Sequence, residues 1–429
     1  MKIQFYANAC FSLFHNGKHI LCDPWISKPS VGGNWYAFPP LKTTVADIPK
    51  PDYLYVSHVH SDHCEEQTLK DLGTDIPVII MERKPDFIEG YLRELGFQKI
   101  IKIPEGPAQE IPDAGFKVKT FPSVSTNIQN RFVDSSVLFD FGDLTVLNCN
   151  DNTPNPEFCR ELQKEYPQID VVFLSASGGG AYPSMYENLS VGEKAALSKE
   201  IVRKYTDNFI ANVNALIPRV VIPVAGGYAI GGKYAEIVNY QQPRSLHKLE
   251  LKEYCQGKIP ASVEIIPMQD GMSALVEKDS VTISGKYIPL SDAETESYFK
   301  KLAALEPERK VITTHKVKNL WNVFNLGRSN LWKRQHNLAF FPEYRIYFEV
   351  KGREEVMCLD FTVAETKLVK KSEYEEPYLT IKLDQDTLLE WLLGLEDFNM
   401  LDSGHRMLYD RRPNTYVQEA YVLLSLLRV

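Results

Sequence analysis

Residues 2–14 alternate in a strand-like way, with the two-residue period of β-strands. Asn16-Gly17 separates them from a second apolar run, which reaches Asp23. Asn-Gly between two apolar runs favours a two-residue hairpin turn, because both residues tolerate positive φ. The sequence therefore predicts an N-terminal hairpin whose second strand ends close to Asp23.

Apolar runs separated by helical stretches continue to about residue 280. The runs that fit buried strands lie at 53–56, 78–81, 171–174 and 220–224. Helical periodicity covers about 86–95 and 191–216. This alternation predicts an α/β fold, arranged as a layered αββα sandwich. Glycine-rich turns follow two of the strands, at 175–180 and 225–228, where backbone amides can approach a ligand.

The pattern changes at about residue 288. Helical patterns dominate to about 335, and strands that resemble a meander follow at 344–350, 357–363 and 378–382. Asp386 is the predicted cap of a further helix, and the tail from 416 is helical. We therefore predict two domains, residues 1–287 and residues 288–429, the second being a helical linker with a small α+β unit.

Composition narrows the class of protein. The chain has 429 residues, 44% of them hydrophobic, and a net charge of −8, which argues against nucleic acid as the main partner. Seven widely spaced cysteines without a CxxC pair indicate reduced thiols. Without a signal-peptide pattern or an apolar run of about 18 residues, no membrane span is expected and the predicted location is cytoplasmic.

One short motif contains four residues of the types that bind metal ions. His58-Val-His60-Ser-Asp62-His63 directly follows a predicted buried strand. In extended backbone, side chains two positions apart project to the same side, so His58 and His60 can bind one metal ion. Asp62 and His63 fall where a helix is predicted to start, with Asp62 as its cap and Glu65 three positions on, and both can face a second ion.

The HxHxDH pattern resembles the signature of the metallo-β-lactamase superfamily. The resemblance implies that Asp23 orients the histidine loop from outside the ligand set. It also implies that Asp151, after the strand-like run 144–148, is a metal ligand between two ions. Asp62 and Asp151 are then the candidate catalytic residues.

Several further segments strengthen this resemblance. Residues 21–25, 146–151, 175–183 and 223–228, together with the motif, resemble the metallo-β-lactamase-like part of the CMP-N-acetylneuraminate hydroxylase family over roughly residues 1–280. The C-terminal unit is similar to sterol-carrier-protein-2-like domains.

The chain departs from the superfamily pattern at the third histidine. No histidine lies between His63 and His247, and Asn130 is the predicted occupant of that ligand position. The remaining set of His58, His60 and Asp151 has two imidazoles and one carboxylate, which suits non-haem iron. We expect one or two divalent ions, with iron favoured over zinc or manganese, unless the site is degenerate. His315 is the best candidate for a late ligand.

Three functions remain open at this point. The first is an iron-dependent hydroxylase of a small polar substrate, with a nucleotide-sugar-like one implied only by the resemblance. Since no Rieske pattern of Cys-x-His with Cys-x-x-His occurs, its electrons must come from a separate donor protein or from the substrate. The second is a hydrolase of an ester, amide or phosphodiester, in which Asp62 orients the attacking water. The third is a non-catalytic ligand-binding protein.

Overall fold

Two β-sheets packed face to face form the larger part of the molecule. The computed structural model describes residues 1–124, 133–241, 246–306 and 319–429. Within these ranges, the first sheet has eight strands: β1 (Lys2–Ala7), β2 (Cys10–His15), β3 (Lys18–Cys22), β5 (Tyr53–Tyr55), β6 (Val78–Met81), β7 (Ile100–Ile103), β16 (Ser273–Val276) and β17 (Val281–Ser284). Their order is β17-β16-β1-β2-β3-β5-β6-β7, and the pairs from β3 to β7 are parallel.

The second sheet has seven strands in the described residues. They are β8 (Gln109–Glu110), β9 (Lys117–Pro122), β10 (Ser135–Asp140), β11 (Thr145–Asn148), β12 (Val171–Ser175), β13 (Val220–Val224) and β15 (Glu264–Ile265). The order is β15-β13-β12-β11-β10-β9-β8, with parallel pairing from β11 through β12 and β13 to β15. The predicted N-terminal hairpin is confirmed, since β2 pairs with β3 around Asn16-Gly17, both at positive φ. The strands β10 and β11 form another antiparallel pair.

Apolar side chains from both sheets meet in one core. Phe11 of β2 stacks on Phe173 of β12 with ring centroids 3.6 Å apart, inside a cluster that takes alternate residues from each strand. The parallel strands of each sheet end at a shared edge, and Asp23, His58 and Asp151 follow β3, β5 and β11 there.

Helices cover the outer faces of the two sheets. Leu69 and Leu92 pack on the eight-stranded sheet, and Leu162 and Phe209 on the seven-stranded one. These helices are α1 (Glu66–Leu72), α2 (Phe87–Glu94), α3 (Pro156–Glu165), α4 (Val191–Leu216) and α6 (Lys248–Cys255), and α5 (Ala235–Gln241) lies nearby in sequence. The predicted αββα sandwich is therefore confirmed.

The C-terminal residues form a separate sheet with its own helices, which we call the C-terminal module (residues 319–429). Its strands are β18 (Arg345–Val350), β19 (Val356–Asp360), β20 (Thr366–Val369), β21 (Tyr378–Leu383) and β22 (Leu408–Arg412), in the order β20-β19-β18-β21-β22. Its helices are α8 (Leu320–Leu338), α9 (Gln385–Leu392), α10 (Phe398–Ser403) and α11 (Gln418–Ser425), and it has a short 3-10 turn at Lys371–Glu373. Another 3-10 turn, Val45–Asp47, precedes β5 in the sandwich. No helix in the described residues is both long and apolar enough to cross a membrane.

Two predictions about this module are wrong. The strands do not form a meander, because β18 pairs in parallel with β21, which requires a crossover connection. The helix α9 is capped by Asp384 and not by Asp386, since the Asp384 carboxylate accepts the backbone N–H of Thr387 at 2.8 Å.

The predicted domain boundary at residue 287 stays a prediction, but the next helix packs against earlier residues. This helix, α7 (Asp292–Ala303), contacts β4 (Trp35–Ala37) through the Tyr298 hydroxyl, which donates to the Ala37 carbonyl at 3.0 Å. Phe299 also lies edge-on to Tyr240 at 5.2 Å. The strand β4 pairs in turn with β14 (Tyr228–Ile230).

Candidate metal centre

Asp23 ties the histidine motif to the end of β3. It is fully buried and takes a positive φ of 45°. Its carboxylate accepts the Ser57 backbone N–H at 2.8 Å and the Ser57 hydroxyl at 2.9 Å, and it lies 3.0 Å from Nδ1 of His63. Asp23 thus contacts Ser57, just before the motif, and His63, its last residue. Nε2 of His63 points away from Asp23, as expected when a residue orients a ligand without binding the metal itself.

The first group of ligand atoms comes from His58, His60 and Asp134. Nε2 of His58 lies 2.9 Å from Nδ1 of His60 and 3.9 Å from Oδ1 of Asp134. His58 is held by Ser57, whose hydroxyl lies 2.9 Å from the opposite ring nitrogen, Nδ1. One nitrogen from each ring and one carboxylate oxygen lie within 4.8 Å of one another, close enough to ligate a single ion.

The second group comes from Asp62, His63 and Asp151. Nε2 of His63 lies 3.3 Å from Oδ2 of Asp62 and 3.2 Å from Oδ2 of Asp151. Asn8, in the turn after β1, donates from Nδ2 to Oδ2 of Asp62 at 3.0 Å. His58 also belongs to a set with His63 and Asp151, so the two groups are adjacent.

Asp134 is a candidate ligand that the sequence pattern did not predict. The superfamily pattern led to a histidine or an amide as the third ligand of the first group, and the predicted residue, Asn130, lies outside the described residues, as does His315. Asp134 directly precedes β10 and has a side chain that is only 5% exposed. An aspartate directly before the run that forms β10, between His63 and Asp151 in the chain, was the signal available in the sequence.

The predicted start of the helix after the motif is wrong. Helix α1 begins at Glu66, and its cap is Glu65, whose carboxylate accepts the backbone N–H groups of Gln67 and Thr68 at 2.7 and 2.8 Å. Asp62 therefore does not cap a helix. Its carboxylate is left for the cavity beside His63.

Burial and the neighbouring charges shift the pKa values of several residues in the cluster. Burial lowers the pKa of His58 well below its usual value and raises the pKa of Asp134 to about 6. Burial also raises the pKa of Asp23, against the opposing effect of His63. Burial opposes protonation of His63, but Asp151, Asp62 and Asp23 outweigh it and raise the pKa of His63 well above normal. Several carboxylates thus share one imidazole as their main positive partner.

Unpaired atoms in the cluster fit a bound cation. Among the described residues, Nε2 of His63, Oδ1 of Asp134 and Oδ1 of Asp151 are buried and make no hydrogen bond. Native proteins rarely leave such atoms unpartnered unless an ion or water binds there. The donor set of imidazoles and carboxylates suits a divalent transition metal.

The cluster opens into a cavity of about 790 Å³. Both glycine-rich turns predicted from the sequence line it, through Gly178–Gly180 and Ala225–Gly226. The C-terminal module covers another side, and on α10 the side-chain nitrogen of Asn399 lies 3.2 Å from Nε2 of His60. The candidate metal centre therefore lies between the sandwich and the C-terminal module.

The comparison with protein families agrees with this architecture. A family model described as a beta-lactamase superfamily domain matches residues 2–225. CmlA, a diiron beta-hydroxylase from Streptomyces venezuelae, is a similar solved structure, with 21% sequence identity, a TM-score of 0.46, and coverage of 62% of this chain and 52% of that one.

Two curated proteins are similar over the same part of the chain. A Mycobacterium tuberculosis protein provisionally named a Rieske 2Fe-2S iron-sulfur protein is 27% identical over 236 residues, which is 53% of this chain and 44% of that protein. The mouse cytidine monophosphate-N-acetylneuraminic acid hydroxylase is 26% identical over 235 residues, 53% of this chain and 39% of that protein. The chain thus spans less than half the length of these relatives, and the resemblances stated for residues 1–280 are confirmed.

Proposed function

We propose that this chain, which belongs to the beta-lactamase superfamily domain family because the family model matches more than half of it, is an iron-dependent hydroxylase of a small polar substrate. The observation that carries the proposal is the composition of the first ligand group. His58, His60 and Asp134 offer two imidazoles and one carboxylate around one point, the donor set that suits non-haem iron with open positions. Zinc sites of three histidines, by contrast, lack this carboxylate.

The six ligand-type residues divide naturally between two ions. We assign His58, His60 and Asp134 to the first ion, and Asp62, His63 and Asp151 to the second. When bound, an iron pair would supply the redox chemistry that activates dioxygen. Asp62, Asp134 and Asp151 all line the cavity, so each lies beside the space for a substrate, and Asp62 and Asp151 remain the candidate catalytic carboxylates.

The cavity and the cysteines bear on the substrate and the electrons. A volume of about 790 Å³ falls in the range of small-molecule sites, so the substrate is a small molecule. All seven cysteines are buried and free, and none has Rieske spacing. One relative is named for a Rieske cluster. We infer that a separate protein donates electrons to this chain.

The proposal is tested by metal analysis of protein purified without oxygen and without chelators. We expect about two irons per chain and an absorbance change on exposure to O2, since both ligand groups are preformed. The double variant His58→Ala with His60→Ala should lose the first ion. The control is His336→Ala, an exposed histidine of α8, which should retain both ions.

Exchange of one ligand sharpens the test. Asp134→His would restore a three-histidine group and should shift the bound metal from iron towards zinc. Zinc alone in the wild-type protein would overturn the hydroxylase in favour of the hydrolase, to be followed with ester and phosphodiester substrates. Protein without any metal would leave the non-catalytic ligand-binding function.

A further inference from the structure

The cavity beside the candidate metal centre has a basic residue on a side formed by the C-terminal module. Asp62, Asp134 and Asp151 line it on the metal side, whereas Arg411 of β22 lines it from the module. Arg411 lies outside residues 2–225, the part of the chain that the family model matches. The module thus contributes a positive charge to a cavity whose other end is acidic.

Arg411 is buried but has no carboxylate partner. Its residue is 3% exposed, and within the described ranges no carboxylate oxygen lies within 4.0 Å of its guanidinium. Nε and Nη2 both donate to Oδ1 of Asn414, at 3.2 and 2.8 Å. The guanidinium carbon lies 4.8 Å from the ring centroid of Tyr182 and 4.9 Å from that of Tyr186.

These partners hold the guanidinium in place without neutralising it. One amide oxygen and two aromatic faces are neutral groups, and a buried charge without an opposite charge is unfavourable. Asp402 also lines the cavity, but its Oδ1 accepts the Tyr409 hydroxyl at 2.7 Å. A planar guanidinium fixed in this way is preorganised to bind a carboxylate or phosphate through paired hydrogen bonds.

We propose that Arg411 is the anion-binding residue of this cavity, and that the substrate carries a carboxylate or phosphate group which Arg411 binds while the rest of the molecule reaches the metal centre. Lys204 of α4, an exposed residue that lines the same cavity, adds a second positive charge. The proposal rests on the proposed function for the reacting end of the substrate. It makes the C-terminal module the part that selects the substrate by charge.

The test is titration calorimetry of the full-length metal-loaded protein with inorganic phosphate and with succinate at low salt. We expect binding of at least one anion by the wild type and a loss of at least tenfold in affinity in Arg411→Gln, because the charge-assisted hydrogen bonds are removed. Arg411→Lys, which keeps the charge but not the paired geometry, should fall between them. The matched control is Arg412→Gln, the next residue of β22, which is paired with Asp410 and half exposed.

The outcomes separate this proposal from the proposed function. Anion binding that survives Arg411→Gln but is lost in the variant with His58→Ala and His60→Ala would place the anion on the metal ions and overturn the role of Arg411. Absence of binding to the wild type would overturn it as well. If the protein purified without oxygen contains no iron but still binds anions through Arg411, the anion site is supported and the hydroxylase is overturned. Equal melting temperatures of Arg411→Gln, Arg411→Lys and wild type show that a loss of binding is not a loss of fold.

Discussion

The first ligand group has two histidines, His58 and His60, and the carboxylate of Asp134, whereas a zinc-binding set of three histidines would have a third imidazole. A carboxylate is a harder ligand than imidazole and adds a negative charge, and the proposal that the first group prefers iron rests on this one residue. The proposed hydroxylase function therefore depends on Asp134 more than on the histidine motif, which hydrolases of the superfamily also contain.

A buried histidine far from the ligand groups gives a test of the fold itself. His19 of β3 is 5% exposed, stacks on Phe14 at 4.1 Å and lies 2.7 Å from the Ser12 hydroxyl. Burial lowers the pKa of His19 to about 4. In the unfolded chain His19 takes up a proton near pH 6.5, whereas in the folded chain it does so only near pH 4. The free energy of unfolding therefore decreases as the pH falls from about 6.5 to about 4.

We expect His19→Gln to lose this pH dependence, because glutamine keeps a polar side chain but does not titrate. Between pH 7 and pH 5 the wild type should lose about 2 kcal/mol more of its free energy of unfolding than the variant does. Urea unfolding at both pH values measures this difference. Parallel pH profiles for the two proteins would show that His19 protonates in the folded state as easily as in the unfolded one.

Residues near the motif were predictable from sequence, and distant ones were not. The spacing of His58, His60 and His63 and the strand before Asp23 are local features. Asn399 and Arg411 reach the cavity only through tertiary packing across more than 300 residues, which no local pattern records.

At the scale of elements, the end of one short helix meets the metal centre. Helix α10 carries Asn399, whose side-chain amide lies 3.2 Å from Nε2 of His60. If Nδ1 of His60 binds the first ion, Nε2 carries the proton and must donate it to an acceptor. The Asn399 amide provides this acceptor when it is rotated by half a turn, so that its oxygen takes the place of its nitrogen. Such partners fix the ring and raise the affinity of the ligand.

We therefore expect Asn399→Ala to weaken binding of the first ion by about 10- to 100-fold, the usual effect of losing such a partner. Asn399→Asp, which keeps an acceptor, should bind nearly as well as the wild type. Competition with a chelator measures the affinity, and Asn322→Ala on the exposed face of α8 is the control. Unchanged affinity in Asn399→Ala would mean that α10 only covers the site.

The misplaced helix start shows the limit of prediction at this scale. Asp62 and Glu65 are both acidic residues near the first turn, and each can cap it by sequence alone. The choice is made by Asn8, 54 residues earlier, which donates to Asp62, and by the Thr68 hydroxyl, which donates to Glu65 at 2.6 Å. The strands were easier to place, because the alternation near the N-terminus and the short apolar runs of the buried strands are each set within one segment.

At the scale of the whole molecule, the sandwich and the C-terminal module share one apolar core. Trp25, Trp35 and Met185 of the sandwich are buried in the same cluster as Phe348 and Leu401 of the module. The Trp35 indole also donates to the Ser403 carbonyl at 2.9 Å. Sequence periodicity indicated two units but could not show this, because Trp25 and Met185 lie outside the helices and strands and β4, which carries Trp35, has only three residues.

This shared core predicts that the sandwich cannot stand alone. We expect fragments 1–287 and 1–306 to aggregate or to bind a hydrophobic dye strongly, since removal of the module exposes tryptophans that are now buried. Fragment 1–287 should be the less stable one, because it also lacks α7, which packs on β4. Both should bind metal more weakly than the full chain, as Asn399 is absent.

Light scattering, thermal melting and metal content of the purified fragments measure these effects. A monomeric fragment 1–287 with the melting temperature and metal content of the full chain would establish an independent domain ending at residue 287. It would also separate metal binding from the module and leave the module with substrate binding alone. If neither fragment folds, the module is required for the fold that surrounds the candidate metal centre. The roles of Arg411 and Asn399 must then be studied by point substitution in the intact chain.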